Sequence, residues 1–85
     1  MTDLAGAVLA TADEHPDLIA LTAGGDDLTY RALGEAIRAS AHGLLALGLK
    51  RGDRVLFSVR PGRDAVVLAL AIIAAGGVVV FADPG

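Results

Sequence analysis

Residues Ala65 to Ala82 read AVVLALAIIAAGGVVVFA, eighteen positions without one charged or polar side chain. Arg63-Asp64 precede them and Asp83-Pro84-Gly85 follow. Two physical readings compete. An apolar run of this length meets the usual threshold for a membrane-spanning helix. The same run also reads as a buried helix over Ala65 to about Ala75, a break at Gly76-Gly77, and a buried strand over Val78 to Phe81. The second reading is preferred. Gly costs a helix about 1 kcal/mol relative to Ala, and two in succession make a natural stop. The side chains also change at the break. Ala, Leu and Ile before it suit a helix, whereas three valines and Phe81 after it suit a strand. A strand apolar at every position is expected to have both faces buried, as in a parallel sheet covered by helices. The stretch is therefore read as the αβ half of a βαβ unit.

The matching strand lies just upstream, over Val55 to Val59, and Arg60-Pro61-Gly62 is the turn into the apolar helix. Two strands joined by a helix are almost always parallel, with a right-handed crossover. Before them comes a long amphipathic helix. Thr29 is its expected N-cap. Tyr30, Leu33, Ile37, Ala41, Leu44 and Leu45 fall on one stripe, and Arg31, Glu35, Arg38 and His42 on the opposite one. Leu47-Gly48-Leu49 reads as its C-terminal cap, with Gly48 left-handed and Leu49 packing back on Leu44. Lys50-Arg51-Gly52-Asp53 is a tight turn that puts cations near the negative end of that helix. Nearer the N-terminus, Asp3 to Glu14 is expected to form a short helix with Leu4, Val8, Leu9 and Ala12 on one face, stopped by Pro16. Ile19 to Thr22 and Leu28-Thr29 are short strands, joined into a hairpin by the turn cluster Gly24-Gly25-Asp26-Asp27. No internal repeat or linker is visible.

Composition narrows the function classes. The chain has 85 residues, enough for one small domain. Hydrophobic residues make up 54%, and the mean hydropathy is +0.61, high for a length that has proportionally much surface to cover. The expectation is a piece of a larger protein, truncated at its C-terminal end, whose apolar surface meets partners outside these residues. Net charge is −3 and the seven Lys and Arg are scattered, which does not suit a nucleic-acid partner. The aromatics Tyr30, Phe57 and Phe81 make no stacking platform. With no Cys, disulfides, Cys-based zinc sites and thiol catalysis are excluded. The first residues lack the basic region of a secretory signal, so the expected location is cytoplasmic, without a membrane span.

Few residues invite a chemical role. His15 and His42 read as surface residues, without a second ligand at metal spacing. Ser40 and Ser58 lack the setting of an activated nucleophile. Asp13-Glu14 and Asp26-Asp27 read as solvated helix ends and turns. Asp83 ends a parallel strand, where open α/β sheets place their ligand crevices, although Asp-Pro-Gly is also an ordinary turn. No glycine-rich phosphate loop occurs. Arg60-Pro61-Gly62-Arg63, between a strand and a helix N-terminus, can hold an anion or simply face water.

Several passages, in order, resemble the N-terminal segment of the adenylate-forming (AMP-binding) superfamily of acyl-CoA synthetases, aryl-CoA ligases, luciferases and peptide-synthetase adenylation domains. They are His15-Pro16-Asp17 with Ile19-Ala20-Leu21, Leu28-Thr29-Tyr30-Arg31-Ala32-Leu33, Leu47 through Val55 with its Gly52-Asp53 turn, and Ala69 through Pro84. The resemblance covers nearly the whole chain. It implies an α/β fold: a βαβ-containing N-terminal piece of a large domain, with helices packed on a mostly parallel sheet. It also implies ATP-dependent activation of a carboxylic acid. The carboxylate attacks the α-phosphate of ATP, magnesium neutralises the phosphates, and the acyl group passes to coenzyme A or a carrier thiol. The superfamily's phosphate loop, ribose-binding aspartate and catalytic lysine all lie beyond these residues. The resemblance therefore carries over no catalytic, cofactor-binding or metal-binding residue. ATP and magnesium are expected to belong to the full-length parent, and the expected partner is the rest of the same enzyme chain. Asp83-Pro84-Gly85 leans toward the fatty-acid-ligase and β-lactone-synthetase branches, and Arg60-Pro61-Gly62-Arg63 replaces a commoner Pro-Asn-Ser type of turn. The rival reading is a small non-enzymatic α/β interaction module.

Overall fold

In the computed structural model, which describes residues 3–58, 60 and 62–82, the chain forms three helices and four strands. In order they are α1 (Leu4–Glu14), β1 (Ile19–Ala23), β2 (Asp26–Thr29), α2 (Tyr30–Ala46), β3 (Arg54–Phe57), α3 (Arg63–Ala74) and β4 (Val78–Phe81). The apolar run divides at its glycines. Gly76 takes φ 91, its N–H reaches the Ile73 carbonyl at 3.0 Å, and the Gly77 N–H reaches Ile72 at 2.9 Å. This pair of bonds is a Schellman cap, which satisfies carbonyls the helix leaves open. The chain then enters β4, which pairs in parallel with β3 from Arg54↔Val78 to Phe57↔Phe81. A helix of 12 residues is about 18 Å long, too short for a bilayer core. No helix among the described residues is long and apolar enough to cross a membrane.

The same capping logic shapes α2. Thr29 Oγ1 accepts the Ala32 N–H at 3.2 Å, as expected of an N-cap. The two preceding amides donate to the loop before β1: Tyr30 N–H to Leu18 O at 2.9 Å and Arg31 N–H to Pro16 O at 3.0 Å. At the other end Gly48 has φ 103, and the Leu49 N–H returns to the Leu44 carbonyl at 3.1 Å. The turn that follows closes on itself. The Asp53 N–H donates to Lys50 O at 3.0 Å, and the Lys50 N–H donates to Asp53 Oδ2 at 2.7 Å.

β1 and β2 form the expected antiparallel hairpin, with a register irregularity between Ile19 and Leu21. Its loop is the residue pair Gly24-Gly25, both at positive φ, as a type I′ turn requires. Asp26 and Asp27 therefore stand in β2 rather than in the turn. β3 ends at Phe57. Ser58 lies just beyond it, and Val59 falls outside the described residues.

The helices pack on one another, α2 against both α1 and α3. The core cluster joins Leu33, Ile37 and Leu70, and Val8, Leu9, Ala20, Leu28 and Val67 pack around it. On α1 the buried positions are Ala5 and Ala12, whereas Leu4 is 63% exposed. The hairpin and the parallel pair are separate two-stranded sheets, so parallel pairing is confined to β3 and β4. The expected burial of β4 on both faces is not met within these residues. Val55 and Val79, paired across the ladder, are half-buried on one face. Leu56, Val78 and Val80 point the opposite way and lie 72%, 48% and 40% exposed. α3 packs on β4, and the exposure of Leu56, Val78 and Val80 leaves the opposite side of the pair open among the described residues. α3 itself buries Leu70, Ala71 and Ile72 and leaves Val66 and Ala74 exposed.

Candidate functional site

Among the described residues, the histidines and serines singled out for chemistry do not converge. His15 caps the C-terminal end of α1, where its N–H reaches Thr11 O at 2.7 Å, and its side chain is exposed. His42 is exposed on α2, Ser40 half-buried on the same helix, and Ser58 exposed after β3. Asp13 faces Arg38 at 3.5 Å and Asp17 faces Arg31 at 3.1 Å, both on the surface. Ion pairs in such settings contribute about 0–1 kcal/mol, so these tie α1 and the following loop to α2 without making a reactive centre. Asp27 Oδ1 accepts the Thr22 hydroxyl across the hairpin at 2.7 Å. Among the described residues, no three His, Asp or Glu side chains gather as metal ligands would. Asp83, expected at a ligand crevice, lies outside the described residues.

Two grooves remain. One, of about 470 Å³, lies between the hairpin loop and the N-terminus of α3, lined by Ala23, Gly24, Asp26, Arg60, Gly62, Arg63, Asp64 and Ala65. Pro61, part of the expected anion-holding turn, lies outside the described residues. Gly62 caps α3 with extended backbone and no side-chain hydrogen bond, so the first amides of the helix have no capping side chain. Arg60 and Arg63 add positive charge at the positive end of the helix dipole, and the carboxylates of Asp26 and Asp64 in the same groove offset it. Sequence reasoning found the two arginines but not Asp26, which only the hairpin brings there.

The second groove, about 350 Å³, is almost wholly apolar and runs between α1, α3 and the ends of β3 and β4. Leu4, Val8, Val66, Leu70, Phe57 and Phe81 line it. Phe57 is buried and Phe81 is 73% exposed, their rings edge to face at 5.6 Å between centroids. Both rings stand at the last position of a four-residue strand, and the parallel register sets them side by side. Neither groove carries a phosphate loop or a nucleophile beside a base. The described residues thus do not fit an ATP or magnesium site.

Comparison with known proteins places this architecture. The family model described as AMP-binding enzyme matches residues 8–85. The phosphinothricin tripeptide synthetase PhsC of Streptomyces viridochromogenes is 40% identical over 81 residues, 95% of this chain and 8% of that protein. A medium/long-chain-fatty-acid–CoA/3-oxocholest-4-en-26-oate–CoA ligase of Mycolicibacterium smegmatis is 40% identical over 68 residues, 80% of this chain and 12% of that protein. The crystal structure of a fatty acyl-adenylate ligase from L. pneumophila, in complex with acyl adenylate and pyrophosphate, superposes with a TM-score of 0.84. It is 30% identical over 95% of this chain and 15% of that one. The chain thus spans about a tenth of the length of these curated relatives. Peptide synthetase and fatty-acid ligase are equally similar to it, which singles out no branch.

Proposed function

We propose a function from one fact: the chain belongs to the AMP-binding enzyme family. Our reading is that it is the N-terminal structural segment of an ATP-dependent, carboxylic-acid-activating ligase. The parent enzyme forms an acyl-adenylate and passes the acyl group to coenzyme A or a carrier thiol. ATP and magnesium act in that parent, on residues beyond this chain. The segment's own work is mechanical: it supplies a helix layer, a hairpin and a parallel strand pair that pack inside a larger domain. No catalytic, cofactor-binding or metal-binding role is assigned to its residues.

The observation that carries the reading is the family match over residues 8–85, together with ligases among the relatives. The fold supports it, because the outer face of β3–β4 stays apolar and open. These findings favour a ligase segment over an independent interaction module. The lean toward the fatty-acid-ligase and β-lactone-synthetase branches rests on Asp83-Pro84-Gly85, and the products of the parent enzyme decide it.

The test has two arms. The gene is read beyond codon 85 for a Ser/Thr/Gly-rich stretch ending in Pro-Lys, about 100 residues downstream. ATP–pyrophosphate exchange is then measured with a panel of carboxylic acids, on the longer polypeptide and on these 85 residues. Exchange by the longer polypeptide alone is expected. Exchange by the 85 residues would overturn the structural role, and a reading frame lacking the downstream stretch would overturn the ligase.

A further inference from the structure

We draw no further inference here: the strongest candidate, the apolar groove between α1, α3 and the ends of β3 and β4 where Phe57 meets Phe81, carries nothing because nothing in the structure shows what covers it.

Discussion

Gly76 has φ 91, and a Cβ added there would meet the Arg51 Cα at 3.4 Å. Its carbonyl accepts the Gly52 N–H at 2.8 Å, so the end of α3 is tied to the turn before β3. A side chain at this position must adopt the left-handed region, which costs about 1–2 kcal/mol. Gly76→Ala is therefore expected to lower stability by that amount in a urea titration of the purified protein. Gly43 is the internal control. It lies within α2 with nothing inside 4 Å of the added methyl and no positive φ. Gly43→Ala is expected to raise stability by about 0.5–1 kcal/mol, and equal effects at the two sites would refute the argument from φ. Thr29→Ala removes the cap on Ala32 and is expected to cost about 1 kcal/mol. The cap at Thr29 and the stop at Gly76-Gly77 were legible in the sequence, since both depend on local backbone chemistry. The placing of Arg51 against Gly76 was not, because it depends on β3 and β4 lying side by side.

At the scale of elements, the decisive contact is α2 against α1 and α3. Gly34, on α2, is buried, and a Cβ built there would lie 3.1 Å from the Ala12 Cβ on α1. The two helices thus approach through their smallest side chains. Gly34→Leu is expected to force them apart and cost about 1–3 kcal/mol, read as a lower midpoint in thermal unfolding. A midpoint equal to the parent's would mean that α1 docks too loosely to matter. The helical stripe on α2 identified Leu33, Ile37 and Ala41 as core, and they are buried. Leu45, expected on the same stripe, is 48% exposed. The stripe is set by periodicity alone, whereas burial also requires a neighbour opposite each position. On α1 the same limit appears at Leu4, which faces the open apolar groove rather than a partner.

For the molecule as a whole, the exposed apolar residues Leu56, Val78 and Val80, on the outer face of β3–β4, are the main feature to explain. If this face packs inside a larger domain, its substitution should be silent in one setting and costly in the other. In the isolated chain, Leu56→Lys with Val80→Lys is expected to change stability by no more than about 0.5 kcal/mol, as for other surface substitutions. In the longer polypeptide the same changes bury unpaired charge and are expected to abolish soluble expression or strongly lower the unfolding midpoint. Tolerance in the longer polypeptide would refute the packing role. The isolated parent chain is further expected to bind a hydrophobic dye, and the double variant less of it.

The candidate site was only half legible for a related reason. Arg60 and Arg63 stand close in sequence, so their shared place at the start of α3 could be read directly. Asp26 joins them only through the hairpin, and Phe57 meets Phe81 only through parallel pairing. What the sequence by itself determined was the series of elements and the ends of the longer helices: Thr29, Gly48 and Gly76 each act through bonds to residues a few positions away. Tertiary structure alone decided that the hairpin and the parallel pair are separate sheets, and that α3 lies on one face of β3–β4 while the other stays open. An apolar side chain specifies that it must leave water, but hydrophobic burial has no direction, so it does not specify against what.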